Sequence, residues 1–408
     1  MVAFNCLALL VGLTLTVSAL TVAKRGPEAI PGKYIVTLKS GAPGSAVKSH
    51  LNWVRDMHAR SLSRRDTSGI DQIYNINDFN AYAGSFDEDT ISEIRNSDDV
   101  ATVEQDMVWR LDEVPRSPRR PFTTQYNAPW GLGSISHRRP NHTDYIYDAS
   151  AGKGTTAYVI DTGIRPTHVE FEGRARLGFN ALAGSDDNDN YGHGTHVAGT
   201  IAGKTYGVAK KAEIVAVKVF DTYSSASVVL SGFAWAVSNI SDPSTSIINM
   251  SLGGPPSAAI NAAVASAFDS GVLTVASAGN SGVDASTTSP ASAPEAITVG
   301  AVDIENQRPD WSNYGTVVDI FAPGVEVLSA WSGSDEDSLV TEGTSMAAPH
   351  VSGLILYLKG LERGGVVGRA VSTAAQVVER VKWLGTKGVV EDGGEGSPNL
   401  LAYNGSGA

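Results

Sequence analysis

The sequence has little cysteine, little basic charge and no long apolar run. A single cysteine, Cys6, occurs among 408 residues, which excludes an intrachain disulfide and any cysteine-rich zinc site. Asp and Glu number 43 against 31 Lys and Arg, and the net charge of −12 argues against nucleic acid or an anionic membrane as partner. No run reaches the roughly 18 apolar residues of a transmembrane helix. A hydrophobic content of 42% is that of a globular protein, and the length predicts more than one module.

The longest uncharged apolar stretch is N-terminal, over Leu7–Leu20. It is short for a membrane span and contains the small residues Val17–Ala19, which suit signal peptidase. We therefore predict a secretory signal over residues 1–19, whose cleavage point lies between residues 19 and 23. The mature protein would then be secreted and extracellular, and it would lack Cys6. The segment before the run has no Lys or Arg, which is atypical of a signal. A buried N-terminal helix is the alternative.

A proline-rich segment divides the rest of the chain near residue 120. Three prolines fall between Val114 and Phe122, and this density of proline denies regular structure. The first 120 residues carry 14 Lys/Arg and 15 Asp/Glu and the remainder 17 and 28, so nearly all of the negative charge is C-terminal. We predict one module at about 33–112, within residues 20–120, and a second over 121–408.

The two modules have different patterns. The first predicts a small α+β domain, with strands at 33–39, 81–86 and 100–109 and helices at 47–62 and 89–96. The second alternates apolar strands with helices, which predicts an α/β fold with a mostly parallel sheet covered on both faces. Its strands are predicted at 155–160, 212–219, 246–250, 272–276 and 296–299, and its helices at 228–239, 258–270 and 345–361.

Three segments of the second module carry acid–base chemistry. Asp161 ends a buried strand, and His193 opens a helix of small residues. Ser345 begins another helix, where backbone N–H groups and the helix dipole favour developing negative charge. A serine hydroxyl is a poor nucleophile unless an imidazole takes its proton and a carboxylate orients that imidazole. Asp, His and Ser are therefore candidates for an acyl-transfer triad.

The remaining parts of such a site are also present. Asn280 follows a buried strand and is the candidate side-chain donor to an oxyanion, with the N–H of Ser345 as the second donor. The order Asp161, His193, Ser345 is that of subtilisin and differs from that of chymotrypsin and the α/β-hydrolases. Ala347 also breaks the G-x-S-x-G pattern, which disfavours a lipase or esterase.

Six segments together resemble one protein family. AYVIDTGI, YGHGTHVAGT, INMSLGG, ASAGNS, VDIFAPG and GTSMAAPHVSG lie within Ala157–Leu358, about half of the chain. The sequence resembles fungal secreted subtilisin-like serine proteases of the proteinase K type. The resemblance implies a three-layer subtilisin-like fold with a mostly parallel sheet, and it identifies the module at 33–112 as an inhibitor-type propeptide. It further implies a zymogen whose propeptide is cut off near residues 120–123.

The resemblance also assigns roles to residues. It implies that Asp161, His193 and Ser345 form the triad and that Asn280 binds the oxyanion. The walls of the S1 pocket would be Ser251, Leu252, Gly253, Ala278 and Gly279. These residues are uncharged and mostly small, so we expect preference for large apolar or aromatic P1 residues. The family's strong Ca²⁺ site would be formed here by the carbonyls of Pro294 and Ala296 and the carboxylate of Asp319, hard oxygen ligands that suit a structural calcium ion.

Four Asn-X-Ser/Thr sequons occur after residue 120. We predict glycosylation at Asn141, Asn239 and Asn404. The fourth, Asn249, ends a buried strand and is expected to stay unmodified.

Other polar residues are given structural interpretations. We expect His196 and His350 to make structural hydrogen bonds. The acidic run Asp186–Asn190 lacks the Gly and Glu of an EF-hand and is interpreted as a solvated loop.

The sequence thus predicts a secreted serine endopeptidase that hydrolyses peptide bonds through an acyl-enzyme. We expect a monomer that acts on proteins and peptides, with its own propeptide as intramolecular inhibitor and no redox or organic cofactor. Because His193 must be neutral to act as a base, activity should rise from neutral towards alkaline pH. The alternatives are a catalytically inactive homologue that acts as a binding protein, and an esterase.

Overall fold

The computed structural model describes residues 29–61, 66–76, 79–107, 122–363 and 373–408. The predicted signal and the linker up to residue 121 lie outside these ranges. The chain divides into two compact units, with the boundary between Val114 and Pro115. None of the helices in the described ranges is long and apolar enough to span a bilayer.

The first unit is an antiparallel sheet with two helices packed on one face. In its described part the strand order is β2-β3-β1-β4. The elements are β1 Ala29–Leu38, α1 Gly44–Arg60, β2 Gly69–Ile76, β3 Phe79–Ser85, α2 Glu88–Arg95 and β4 Val100–Met107. Alternate residues of β1, such as Val36, share a core with Val54 of α1 and Ile91 of α2.

The predicted α+β domain is confirmed, but the sequence missed strand β2. This strand lies at the edge of the sheet, and the side chains from Asp71 to Asn75 are exposed. Among the side chains of β2 that the structure describes, only Ile70 packs against the core of this unit, so the strand lacks the regular alternation of buried apolar and exposed polar residues that reveals a strand in a sequence.

The second unit contains the predicted strands and helices, with ends that agree to within three residues. Its elements are β5 Phe122–Gln125, α3 Trp130–Ser136, β6 Tyr145–Asp148, β7 Thr156–Asp161, β8 Ala175–Asn180, α4 His193–Ala202, β9 Glu213–Lys218, α5 Ala226–Asn239, β10 Ser246–Met250, α6 Ala258–Asp269, β11 Leu273–Ser277, β12 Ala296–Val302, β13 Ile320–Pro323, β14 Val327–Ala330, β15 Ser338–Thr341, α7 Thr344–Arg363, α8 Ala374–Leu384, β16 Thr386–Lys387 and β17 Leu400–Leu401.

A mostly parallel sheet forms the middle layer of this unit. Within the described residues its order is β16-β17-β13-β12-β11-β10-β7-β9-β8. Every neighbouring pair is parallel except β16 and β17, which are antiparallel. The fold class predicted from the sequence is therefore confirmed.

Two separate hydrophobic cores cover the two faces of the sheet. Val159 of β7 packs with α4 and α7, whereas its neighbours Tyr158 and Ile160 pack with α5 and α6. A strand buried on both faces needs apolar residues at consecutive positions, which is why β7 reads as a continuous apolar run. Each fully buried aliphatic or aromatic side chain contributes about 1.5–3 kcal/mol relative to an exposed one.

The topology places the candidate site at one edge of the sheet. Strands β11, β10 and β7 are adjacent and parallel, so their carboxyl ends meet at the same edge. Asp161 is the last residue of β7, and Ser251 and Asn280 follow β10 and β11. Helices α4 and α7 pack against each other and begin at His193 and Thr344.

Candidate active site

A buried carboxylate and an imidazole form the first part of the site. Asp161 is 2% exposed, and its Oδ1 accepts hydrogen bonds from His193 Nδ1 (2.7 Å) and from the backbone N–H of Thr162 (2.8 Å). A carboxylate can only accept, so Nδ1 of His193 carries the proton and Nε2 keeps a free lone pair. This tautomer is the one that a general base requires.

Two opposing effects act on the pKa of the His193 imidazole. Burial by itself lowers the pKa of His193, but the charge and hydrogen bond of Asp161 and the charge of Asp189 outweigh it and raise the pKa above its ordinary value. The imidazole is therefore charged at acidic pH and becomes an available base as the pH rises beyond the ordinary range for histidine.

Ser345 is the second residue of α7, and its hydroxyl donates to the carbonyl of Ser251 (3.1 Å) rather than to the imidazole. In return the hydroxyl of Ser251 donates to the carbonyl of Ser345 (2.8 Å). Pro349 explains this second bond, because a proline four residues later has no N–H for that carbonyl. The helix continues through Pro349, since the Ser251 hydroxyl satisfies the Ser345 carbonyl for which the proline has no N–H.

The side-chain amide of Asn280 is oriented by the start of α7. Its Oδ1 accepts from the backbone N–H and from the hydroxyl of Thr344, each at 2.8 Å. The Thr344 oxygen itself accepts from Gly279 N (3.0 Å). With Oδ1 engaged, Nδ2 is left to donate, and it lies 3.2 Å from where a Cβ on Gly343 would be. The amide N–H groups of Asn280 therefore lie beside the N-terminus of the helix that carries Ser345.

A polar but uncharged cavity of about 340 Å³ adjoins these residues. Of the residues predicted to form the S1 walls, Leu252, Gly253 and Gly279 line it. Ser251 and Ala278 do not line it but are buried, the first bonded to Ser345 and the second to Asn313. The sequence missed the other lining residues, which are Gly254, Pro255, Ser277, Ser281, Thr288, Asn313 and Thr344. No lining residue is Asp, Glu, Lys or Arg.

The residues predicted to bind calcium contain one largely buried carboxylate. Oδ2 of Asp319 accepts from Thr298 N (2.8 Å), and Oδ1 pairs with Lys382 Nζ (2.8 Å). Burial raises the pKa of Asp319 in spite of these partners. A nearby cation stabilises the charged form of such a carboxylate, which fits a Ca²⁺ ligand. The Lys382 ammonium already supplies that charge, so a metal ion at Oδ1 must displace it.

The predicted glycosylation sites differ in exposure. Asn141 and Asn239 are exposed. Asn404 is 3% exposed, and its Nδ2 donates to the carbonyl of Ile146 (2.8 Å), so the nitrogen that a glycan would occupy is buried and already bonded. Asn249 is fully buried and bonds to Ser251 and Ser352.

The two histidines expected to be structural make buried hydrogen bonds to backbone carbonyls. His196 Nε2 lies 3.0 Å from Val327 O, and His350 Nδ1 lies 2.8 Å from Met346 O. That prediction is confirmed.

One interpretation from the sequence is wrong for one residue. The acidic run is not solvated throughout, because Asp189 is 5% exposed, although Asp186 and Asp187 are exposed. The sequence also missed Thr162, which links Asp189 to the strand end that carries Asp161. The only signal available was the position of Asp189, four residues before the helix residue His193.

Comparison with known proteins places both units among proteases and their inhibitor domains. Residues 152–383 match the Subtilase family, and residues 33–112 match Peptidase inhibitor I9. The chain is 54% identical over 416 aligned positions to subtilisin-like proteinase Mp1 of Magnaporthiopsis poae, with 99% of each chain covered. It is 53% identical over 393 positions to alkaline protease 1 of Aspergillus flavus, covering 94% of this chain and 93% of the relative.

A solved structure gives the same picture. The crystal structure of a cold adapted subtilisin-like serine proteinase aligns with a TM-score of 0.63 and 41% identity, covering 68% of this chain and 98% of that one.

Proposed function

The chain belongs to the subtilase family, and we propose that Ser345, His193 and Asp161 carry out its peptide-bond hydrolysis. It is a subtilisin-like serine endopeptidase with an N-terminal I9 propeptide domain. The assignment of the triad rests above all on the 2.7 Å hydrogen bond between His193 Nδ1 and Asp161 Oδ1, which leaves Nε2 of His193 with a lone pair to act as a base.

Acylation begins when the Ser345 hydroxyl leaves the Ser251 carbonyl and turns to His193. The proton passes to Nε2 as Oγ bonds to the substrate carbonyl carbon, and Asp161 stabilises the resulting imidazolium. The same proton then passes to the leaving amine as the C–N bond breaks. Water repeats the sequence on the acyl-enzyme, with His193 again as base and then as acid.

The oxyanion of each tetrahedral intermediate is bound by two donors. These are Nδ2 of Asn280, whose Oδ1 is held by Thr344, and the backbone N–H of Ser345. The first N–H groups of a helix have no partner within it, so the Ser345 donor needs no reorganisation. In subtilisin, loss of the corresponding side-chain donor lowers kcat by about 10²–10³-fold.

The cavity beside Ser345 is the S1 pocket in this proposal. Its glycines leave room for a large side chain, and no ionisable residue lines it to pair with Lys or Arg. A charged P1 residue would lose hydration without gaining a partner. We therefore expect large apolar or aromatic P1 residues to be preferred.

The I9 domain acts as an intramolecular inhibitor and is removed by the enzyme itself near residues 120–123 in this proposal, and the mature enzyme comprises 121–408. The apolar N-terminal run supports secretion. Asn141 and Asn239 are the glycosylation sites that their exposure supports, while burial of Asn404 argues against its modification.

A structural calcium ion is the cofactor that we propose. The carbonyls of Pro294 and Ala296 would hold it together with the Asp319 carboxylate. When bound, it would supply the positive charge that Lys382 otherwise supplies to Asp319.

Ser345→Ala tests the mechanism, with Ser266→Ala on an exposed helix position as the control. Brief trypsin treatment, which can cut the arginine-rich linker, followed by a trypsin inhibitor would mature all variants equally. We expect casein hydrolysis and labelling by a serine-directed phosphonate in the wild type and the control, and neither in Ser345→Ala. Equal proteolysis by Ser345→Ala would refute the proposal. Without trypsin, that variant should also keep its propeptide.

A further inference from the structure

We propose that Asp189 is a positioning residue for the general base, because its buried carboxylate fixes the first turn of α4 and thereby the imidazole of His193. The inference rests on the proposed role of His193. Asp189 does not touch the reacting atoms; it acts through the backbone on which the base is mounted.

One carboxylate oxygen binds the backbone immediately before the helix. Oδ1 accepts from the N–H groups of Gly192 (2.8 Å) and Tyr191 (3.3 Å). Gly192 is the N-cap of α4, with φ +100°, and as a glycine it has no side chain to cap the helix. A side chain at this position is also excluded, since its Cβ would lie 2.4 Å from the ring of Trp331. The cap must therefore come from elsewhere, and Asp189 provides it.

The other carboxylate oxygen binds the first turn itself. Oδ2 accepts from the backbone N–H of Thr195 (2.8 Å) and from its hydroxyl (2.6 Å). The Thr195 hydroxyl oxygen accepts in turn from the backbone N–H of Arg165 (3.0 Å). The contacts of Asp189 thus lie on both sides of His193 along the chain, at residues 191–192 and 195.

Thr162 ties the same carboxylate to the strand that carries Asp161. Its hydroxyl donates to Asp189 Oδ1 (2.7 Å) and accepts from the backbone N–H of Gly194 (2.9 Å). Thr162 directly follows Asp161, so one short path of hydrogen bonds joins the end of β7 to the start of α4. The relative position of the Asp161 carboxylate and the His193 imidazole is set by this path.

The charge of Asp189 is held by hydrogen-bond donors. Among the residues that the structure describes, no lysine, arginine or histidine forms an ion pair with it, and its donors are N–H and O–H groups at a helix N-terminus, where the dipole favours an anion. The ionisable groups that face His193 are Asp161 at the end of β7, Asp189 itself, and His196 one turn further along α4. The charge of Asp189 adds to that of Asp161 in favouring protonated His193.

Asp189→Asn is the sharpest test, because it keeps the shape and removes the charge. In either orientation of the asparagine amide, its NH₂ group faces N–H and O–H groups that donate to the carboxylate in the wild type. We expect kcat to fall by about 10- to 100-fold with little change in KM, because a small displacement of the His193 imidazole slows the reaction by about this much. The acid limb of the kcat/KM profile should also move to lower pH, because a negative charge near the base is lost.

Asp187→Asn is the matched control, since it removes an exposed acid from the same loop. It should leave kcat and the acid limb unchanged. If Asp189→Asn fails to fold, Thr162→Val and Thr162→Ser form a second pair. The valine variant should lose kcat, and the serine variant, which keeps the hydroxyl, should not.

Wild-type kcat and pH dependence in Asp189→Asn would overturn the inference, as would a fall in thermal stability alone. Equal kcat in the two Thr162 variants would also contradict it. These failures are distinct from failure of the proposed function, which would show as activity in Ser345→Ala.

Discussion

The side-chain oxygen of Asn280 accepts two hydrogen bonds from Thr344, one from its backbone N–H and one from its hydroxyl. Both donors face the same oxygen. If the Asn280 amide were turned over, its NH₂ group would face the N–H and O–H donors of Thr344. The direction of the Asn280 donors is therefore decided by Thr344, the residue that precedes the proposed nucleophile Ser345.

Loss of the Thr344 hydroxyl should weaken the oxyanion site without removing it. In Thr344→Val the backbone bond to Asn280 remains, while the hydroxyl's bond to Asn280 and the bond it accepts from Gly279 N are both lost. We expect kcat to fall by about 3- to 10-fold, because the bond that orients the oxyanion donor is worth about 0.5–1.5 kcal/mol. KM for a peptide anilide should change little, because the oxyanion exists only after attack. Thr344→Ser keeps the hydroxyl and should retain wild-type kcat. Equal losses in both variants would show that the methyl group matters instead.

A negative charge in the S1 cavity should redirect specificity. Gly254 lines the cavity, and a Cβ there would meet nothing within 4 Å, so Gly254→Asp fits without collision. We expect kcat/KM for Lys over Phe at P1 to rise by about tenfold, or about 1.4 kcal/mol, measured with matched fluorogenic peptides. Gly254→Asn has nearly the same shape and no charge and should not show this rise. An unchanged ratio in Gly254→Asp would mean that this cavity does not receive P1.

Lys382 should compete with calcium for Asp319. In Lys382→Met, on a Ser345→Ala background that prevents self-digestion, stability without metal should fall because Asp319 loses its ion pair. Added Ca²⁺ should then stabilise this variant more than the parent. At 100 times Kd the expected gain is about 2.7 kcal/mol, or roughly 5–10 °C in Tm.

Lys387→Met, at an exposed position on β16, is the control for the loss of a lysine charge. Differential scanning fluorimetry with Ca²⁺ or a chelator measures each shift. An equal Ca²⁺ response in Lys382→Met and the parent would refute the competition. No response in either would refute the calcium site.

Two buried histidines should make the enzyme labile in acid. Burial lowers the pKa of His196 and of His350 to about 4, whereas an unfolded histidine titrates near 6.5. Between these values the unfolded chain binds more protons, so the stabilisation is complete above about pH 6.5 and is lost as the pH falls towards 4. The loss is about 1.4 kcal/mol per pH unit for each histidine.

Thermal unfolding of matured Ser345→Ala between pH 7 and 5 measures this slope. Adding His350→Gln should reduce the slope, whatever it does to stability at pH 7. A Tm that stays constant over this range would contradict the prediction.

The sheet and its site edge could be predicted from the sequence because their signals are local. Strand β10 is buried at all five positions and carries Ile247, Ile248 and Met250, and helix α6 is bounded by a capping serine, Ser257. Asp161, His193 and Ser345 could be selected because each stands where a buried strand ends or a helix begins. Strand β2 escaped detection because its apolar residues, such as the exposed Ile73 and Tyr74, do not alternate regularly with polar ones.

The partners of polar side chains could not be predicted in this way. Asp186, Asp187 and Asp189 look alike in one acidic run, yet the last is buried under α4. Asn404 and Asn141 have the same sequon, yet a carbonyl 258 residues away from Asn404 takes its amide hydrogen.

The sequence by itself thus determined the α/β class, the two-module organisation and the chemical types of the proposed catalytic residues, since periodicity and order along the chain carry that information. Only the tertiary structure decided that Asp189 caps the helix of the base, that Ser251 satisfies the carbonyl exposed by Pro349, and that Lys382 faces Asp319. Each of these contacts joins residues that are distant in sequence or that a loop brings together. Hydrogen bonds and ion pairs depend on distances of a few ångströms, which the folded chain alone sets.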